Sequence, residues 1–121
     1  MSPARFGLPR SQRLLRPSDF EAVLRGGRRT RDAYFTVAAR ANDASHARLG
    51  VTVSRRTSPR AVVRNRIKRQ IRESFRVAKS DLPGIDIVVV ANGPAAAAPN
   101  LELKRSLIKL LQNISELCRP S

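Results

Sequence analysis

The segment from Arg64 to Arg76 constrains the fold more than any other part of this chain, because it is both strongly basic and regularly apolar. Apolar side chains recur every four residues from the position just before it, at Val63, Ile67, Ile71 and Phe75. In a helix, which turns by about 100° per residue, these positions form one stripe roughly 120° wide. The opposite side of that helix carries Lys68, Arg69, Arg72 and Arg76. The pattern predicts a helix that is anchored in a core and presents a rigid cationic face to a polyanion.

The charge balance of the whole chain supports a polyanionic partner. The 121 residues include 24 Lys and Arg but only 9 Asp and Glu, which gives a net charge of +15. Such an excess repels itself in a compact state, and bound phosphate groups would relieve the repulsion. Nucleic acid is therefore the first partner to consider, and an anionic membrane is the second. With 41% hydrophobic and 27% charged residues, the composition is otherwise that of an ordinary globular domain.

A membrane location is disfavoured by the distribution of apolar residues. The longest strongly apolar run covers residues 87–91, whereas a spanning helix needs about 20 residues. The N-terminal charges are not followed by a hydrophobic segment, so no secretory signal is predicted. Cys118 is the only cysteine, which excludes an internal disulfide and suits a reducing compartment. We therefore expect a cytoplasmic protein that does not bind membranes.

Local signals predict three helices. The first begins at Ser18, which has capping-box spacing to an acidic residue, and ends at Gly26-Gly27. The second is the basic helix, with Ser58 as its N-cap, and it extends to about Lys79. The third begins near Asn100 and carries an apolar stripe that packs most simply on a sheet.

The strand signals lie between these helices, at residues 34–39, 48–54 and 85–91. The last of them is the most hydrophobic and is expected at the centre of the sheet, while residues 28–31 are expected to form a basic loop. The order α-β-β-α-β-α predicts an α+β fold, an α/β sandwich with one mixed sheet. We expect a single domain over residues 13–118, preceded by a mobile basic arm at residues 1–12.

Side chains that could perform catalysis are scarce in this sequence. His46 is the only histidine and lies in a predicted polar turn. No acidic pair stands at helical spacing, and there is neither a Cys/His cluster for a metal nor a glycine-rich phosphate loop. Judged on its side chains alone, the chain has no catalytic residues, no metal site and no small-molecule substrate.

Residues suited to binding RNA are abundant. Between Ser54 and Lys79 there are ten Lys or Arg and one acid, Glu73. Arginine predominates, and its planar fork suits bidentate contact with phosphate and stacking on bases. Asn65 lies between two arginines and could donate to a phosphate or a 2′-hydroxyl, or read a base edge.

Exposed aromatic rings are the second feature of single-strand recognition. Phe20 and either Tyr34 or Phe35 could line a groove between the first helix and the sheet, although pattern alone favours core packing for Phe20. Phe75 belongs to the apolar stripe and is expected in the core.

Residues 61–76 closely resemble the arginine-rich signature of the bacterial ribonuclease P protein component. Similar supporting pieces occur in the same order: Arg13-Leu14, Asp19-Phe20 and Gly27, then residues 49–56, then residues 86–91. The resemblance spans about residues 13–115. It implies an α/β sandwich similar to one domain of ribosomal protein S5, with a left-handed crossover through the basic helix, where the general rule predicts a right-handed one.

The resemblance also implies a function. Members of this family are the small subunit of a ribonucleoprotein that removes the 5′ leader from precursor tRNA. The RNA subunit carries the active site and uses magnesium ions to activate water. The expected partners are therefore the ribonuclease P RNA subunit and the leader of precursor tRNA, and the protein subunit itself is not catalytic.

The resemblance also implies which residues bind RNA, by matching positions of this sequence to the family pattern. The residues implied in binding the RNA subunit are Arg55, Arg56, Arg64, Asn65, Arg66, Lys68, Arg69 and Arg72. Those assigned to the leader cleft are Phe20, Tyr34 and Arg13, whereas Phe35 is expected inside. The sequence departs from the family pattern at Leu24 and Ala38, where an aromatic can occur in the cleft, so leader stacking is expected to be weaker here.

The basic helix is also compatible with two other functions. A ribosomal or RNA-assembly protein could use the same basic helix without any processing activity. Sequence-specific DNA binding would place residues 60–79 in a major groove, but that helix has few Asn or Gln residues for base readout and no preceding helix of a helix-turn-helix.

Overall fold

The computed structural model describes residues 10–13, 16–42, 44 and 46–118. The described chain forms three helices and four strands, in the order α1 (Pro17–Gly26), β1 (Arg28–Arg31), β2 (Phe35–Ala41), β3 (Arg48–Thr52), α2 (Ala61–Ala78), β4 (Ile85–Ala91) and α3 (Asn100–Cys118). Short 3₁₀ turns cover Arg10–Gln12, Lys79–Asp81 and Gly93–Ala97.

The strands form one mixed sheet in the order β1-β2-β4-β3. β4 pairs antiparallel with β2 and parallel with β3. Its sequence is almost wholly buried, which agrees with a strand covered on both faces. The α+β class and the central position of β4 are thus confirmed. The parallel strands β3 and β4 are connected through α2. The left-handed sense of that crossover stays a prediction.

The prediction of a basic loop at residues 28–31 was wrong. These residues form β1, which pairs antiparallel with β2 from Arg28 opposite Ala39 to Arg31 opposite Thr36. The element order is therefore α-β-β-β-α-β-α. β1 has no apolar alternation because it lies at the edge of the sheet and its three arginines remain exposed.

The helices cover the two faces of the sheet unequally. α2 and α3 pack over one face and enclose the larger core, which includes Phe35, Ile87 and Leu107. α1 packs over the other face with a smaller cluster of Val23, Ala38 and Val88. The sheet residues of this second face that lie beyond the cluster are only half-buried. Part of the face therefore remains open beside α1.

The apolar stripe of α2 is buried as predicted. Ile67, Ile71 and Phe75 are fully enclosed in the larger core, and Val63 packs against it at the first turn. The helix begins at Ala61, two residues later than the predicted first position. The Ser58 hydroxyl accepts a hydrogen bond from the Arg60 backbone N–H at 3.2 Å, so it supports the turn before the helix instead of capping it.

The N-terminal part of the described chain lies against β3. Residues 10–12 form a 3₁₀ turn, in which the Gln12 side chain accepts a hydrogen bond from Lys79 Nζ at 3.1 Å. α1 begins at Pro17 without a side-chain cap, so the capping box predicted at Ser18 was wrong. Proline fits the first helical position because its φ is already helical. Residues 1–9 of the expected arm lie outside the described residues, and the mobility of the arm stays a prediction.

Replacing Ile71 by alanine tests the burial of the stripe. We expect Ile71→Ala to lower the free energy of unfolding by about 2–5 kcal/mol, because it leaves a cavity beneath α2. The matched change Val77→Ala, on the same helix but at a side chain that is 77% exposed, should alter it by no more than about 0.5 kcal/mol. Urea unfolding followed by circular dichroism measures both, and equal losses would contradict the arrangement.

Candidate nucleic-acid interface

The outer side of α2 and the turn that leads into it form a continuous basic surface. We call this the α2 surface; its residues are Arg55, Arg56, Asn65, Lys68, Arg69 and Arg72. All six are exposed or half-buried. The lead-in turn is held in place, since Thr57 Oγ1 donates to the Ala91 carbonyl at the end of β4, at 3.0 Å. The basic side chains thus extend from backbone that the core fixes.

Arg66 points away from this surface, toward α3. Its Nη1 donates to the Ala98 carbonyl at 3.1 Å and to Asn100 Oδ1 at 2.8 Å, and its Nη2 donates to the Ala96 carbonyl at 3.0 Å. These bonds fasten the segment before α3, and the first residue of α3, to the second turn of α2. Arg66 is therefore a structural clamp between two helices, and a direct contact between Arg66 and RNA stays a prediction.

Arg64 also bonds within the protein. Its Nη1 donates to the Ser58 carbonyl at 3.0 Å and so ties the first turn of α2 to its lead-in. A carbonyl satisfies an N–H but does not cancel a charge, so Arg64 and Arg66 still contribute positive potential. The role of Arg64 in RNA binding likewise stays a prediction.

Acidic groups neutralise little of the positive charge around α2. Glu73 is the only acid between Ser54 and Lys79, and its carboxylate pairs with Arg76 at 2.7 Å. A second pair, Arg48 with Asp86 at 2.8 Å, lies on the sheet, where the hydrogen bond to the carboxylate raises the pKa of Arg48. The α2 surface therefore keeps a strong excess of positive charge, which suits a polyanion.

The face of the sheet beside α1 is left partly open. The floor next to the helix is formed by Thr36, Val90 and Thr52, which are half-buried neighbours in register across β2, β4 and β3. Alternation along the strands places them on the same face as Ala38 and Val88, under α1. We call this the open cleft. Its two hydroxyls and one apolar side chain suit a flexible, partly polar ligand.

Phe20 borders the open cleft and packs on Gly50 of β3. A Cβ added at Gly50 would lie 2.7 Å from two carbons of the Phe20 ring. Glycine is needed here because the aromatic ring takes the place where any other side chain would be. The ring is only half-buried, so part of it remains available for stacking.

Tyr34 does not belong to this cleft, and its assignment there was wrong. Its hydroxyl donates to Glu102 Oε2 of α3 at 3.0 Å, and its ring packs against the larger core on the opposite side of the sheet from Phe20. Donation to a carboxylate raises the pKa of Tyr34. Strand parity could not place this residue, because β2 begins only at Phe35. Phe35 itself is fully buried, as expected.

The remaining cleft residues come from both edges of the sheet. Arg13 is exposed and forms a bridge with Leu49 at the free edge of β3, so its role in the cleft stays a prediction. Sequence reasoning missed Arg29 and Arg31 of β1. Arg31 pairs with Thr36 and therefore extends the row of the cleft floor, while the Arg29 guanidinium donates to the Leu24 carbonyl and ties β1 to α1. The sequence did contain a signal for a strand at this position, because arginines alternate in residues 29–31.

The described residues contain no cluster of three or more His, Cys, Asp or Glu side chains that could hold a metal ion. His46 is exposed, and its Nε2 lies 2.8 Å from the Ser11 carbonyl, to which it can only donate. None of the helices described for this chain is long and apolar enough to cross a membrane.

The clamp made by Arg66 can be tested by stability. We expect Arg66→Ala to lower the free energy of unfolding by about 1–3 kcal/mol, because three acceptors lose a charged donor. Arg72→Ala, at the last residue of the α2 surface, should change it by no more than about 0.5 kcal/mol. Urea titration of both variants decides the matter, and an unchanged midpoint for Arg66→Ala would exclude the clamp.

Comparison with known sequences identifies a family. The sequence model described as Ribonuclease P matches residues 8–115. The ribonuclease P protein component of Methylococcus capsulatus is 42% identical over 116 residues, which cover 96% of this chain and 91% of that protein. The protein of the same name from Escherichia coli K12 is 40% identical over 117 residues, covering 97% and 98%.

Solved structures show the same likeness in three dimensions. The RNase P protein of Staphylococcus aureus has a TM-score of 0.81 and 34% identity, covering 86% of this chain and 97% of its own. The RNase P protein from Thermotoga maritima has a TM-score of 0.75 and 33% identity, covering 84% and 96%. With its basic helix, mixed sheet and nearly full-length match, this chain belongs to the ribonuclease P protein component family.

Proposed function

We propose that this chain is the protein subunit of a ribonuclease P ribonucleoprotein and promotes removal of the 5′ leader from precursor tRNA. The observation that carries the proposal is the family match over residues 8–115, which includes the whole of the α2 surface. The same match favours ribonuclease P over a ribosomal or RNA-assembly protein, and over a DNA-binding protein.

The α2 surface would bind the RNA subunit. Its cations neutralise phosphates, and the released counterions supply much of the binding free energy. Arginine and Asn65 add directional hydrogen bonds to phosphate, ribose or base edges. Because the core fixes the helix, these donors would meet the RNA in one orientation.

The open cleft would hold the single-stranded leader. A base could stack on the exposed part of Phe20, while the Thr36 and Thr52 hydroxyls offer hydrogen bonds to bases or to 2′-hydroxyls. Arg31 at the β1 edge would contact a leader phosphate. The α2 surface and the cleft together would bring the leader to the RNA subunit and reduce the repulsion between the two RNAs.

Any magnesium would be held by the RNA subunit, where it would supply an activated water for phosphodiester hydrolysis. The residues described here offer no metal ligand set, so the contribution of this chain is positive charge, which permits two RNAs and their ions to assemble. The cytoplasmic location expected from the sequence stays a prediction.

Reconstitution tests the proposed function. The purified chain alone should leave precursor tRNA intact, and addition of the ribonuclease P RNA subunit should give accurate 5′ cleavage at a magnesium concentration where the RNA alone is slow. Arg72→Ala should weaken binding to the RNA subunit and reduce the slope of log Kd against log salt by about 1. Cleavage by the protein alone, or unchanged cleavage by the RNA subunit when the protein is added, would refute the proposal.

The cleft assignment has its own test, in which binding of precursor tRNA with a leader is compared with binding of mature tRNA. Phe20→Ala should reduce the preference for the leader by about 1–3 kcal/mol, the usual contribution of a stacked base. Gly50→Ala should reduce it in the same direction, because the added methyl displaces the ring. Tyr34→Phe, on the other face of the sheet, is the control and should keep the preference. A loss for Tyr34→Phe equal to that for Phe20→Ala would place the leader elsewhere.

A further inference from the structure

A groove separates the first halves of α2 and α3, at the edge of the α2 surface. It has a volume of about 660 Å³ and is lined by Asn65, Arg69 and Gln70 of α2 and by Asn100 and Lys104 of α3. This volume is typical of a site for one small ligand. It would accommodate a single nucleotide but not an RNA duplex.

The orientation of the Asn100 amide is fixed by its neighbour. Arg66 Nη1 lies 2.8 Å from Asn100 Oδ1, and a guanidinium can only donate. The oxygen of the amide must therefore face Arg66, which leaves the Nδ2 donors directed away from it. Because Asn100 lines the groove, these donors are available to an acceptor that enters, such as a phosphate oxygen.

Lys104 adds a positive charge one turn further along α3. Its side chain is exposed, and no hydrogen bond or ion pair joins it to another residue in the described part of the chain. The acid that lines the same groove, Glu73, pairs with Arg76. Lys104 and Asn100 thus offer a charge and a neutral donor side by side, as phosphate binding requires.

The α2 wall of the groove offers different chemistry. Asn65 is exposed and Gln70 is half-buried, and each amide carries both a donor and an acceptor. Val62, which is 66% exposed, adds apolar surface to the same wall. Amides beside an apolar contact suit the edge and the face of an unpaired base.

The second halves of the two helices are chemically different. Beyond Glu73 and Lys104, which line both halves, the groove continues between Asp81 and Glu116, which are acidic, and past Val77 and Ile108, which are exposed and apolar. A polyanion that follows the two helices is favoured in the first half and repelled in the second. The charge pattern therefore limits an RNA strand to the end of the groove next to Asn100.

We propose that this first half of the groove binds one unpaired nucleotide of the ribonuclease P RNA subunit. Lys104 and Asn100 Nδ2 contact its phosphate, and Asn65 and Gln70 contact its base. This inference rests on the proposed function and extends the RNA-binding surface from α2 to α3. It assigns roles to Gln70, Asn100 and Lys104 that the arginine-rich segment does not include.

Two substitutions on α3 test the phosphate contact. Lys104→Ala should raise the Kd for the RNA subunit about fivefold and reduce the salt slope by about 0.7–0.9. Asn100→Asp keeps an oxygen for Arg66 but replaces the outward donors by a carboxylate oxygen, so it should raise the Kd at least as much without lowering the melting temperature. Lys109→Ala removes an exposed α3 lysine that does not line the groove, and it should leave both quantities near the wild-type values.

Base contact is tested by chemical probing of the reconstituted holoenzyme. Wild-type protein should protect an unpaired adenine or cytosine of the RNA subunit from dimethyl sulfate, and Gln70→Ala should restore its reactivity. Unchanged protection in Gln70→Ala would overturn the assignment of the base.

The outcomes separate this inference from the proposed function. If Lys104→Ala and Asn100→Asp bind like wild type while Arg72→Ala binds more weakly, the groove is not used and the function stands. The same holds if Lys109→Ala weakens binding as much as Lys104→Ala, since the effect would then be general charge. If Arg72→Ala also binds like wild type, both proposals fail.

Discussion

Burial of the α2 stripe is the interaction on which the rest of the molecule depends. The chain carries +15, and α2 concentrates much of that charge on one helix, where neighbouring like charges destabilise the helical state. Ile67, Ile71 and Phe75 offset this repulsion by complete burial, at about 1.5–3 kcal/mol for each side chain. Without that burial the basic segment would have no fixed shape, and its donors would no longer face one direction.

The sheet separates two tasks. The face under α2 and α3 is closed and holds most of the core, whereas the face under α1 is left partly open. A short helix can cover only one row of sheet residues, and the next row becomes the floor of the open cleft. The position of Phe20 depends on the same face of the sheet. Because Gly50 has no side chain, the Phe20 ring can pack directly on β3.

Periodicity in the sequence predicted those features that burial determines. The α2 stripe follows from apolar spacing and the central position of β4 from its hydrophobicity, whereas the burial of Phe35 was implied only by the family resemblance. β1 could not be found in that way, because an edge strand of arginines has no buried face. The assignments of Arg66 and Tyr34 also depended on information that spacing does not contain. A long side chain can reach several partners, and only the packing of α3 shows that Arg66 meets the Ala96 and Ala98 carbonyls and that Tyr34 meets Glu102.

The Arg66 clamp has a consequence for the thermodynamics of association. It joins α2 to the start of α3 through bonds that exist in the protein alone, so the walls of the interhelical groove are preorganised. The conformational entropy of bringing those walls together is lost during folding, so association does not lose it a second time. A strand of RNA would therefore meet a receptor that is already in its bound shape, and the flexible partner would supply the adjustment.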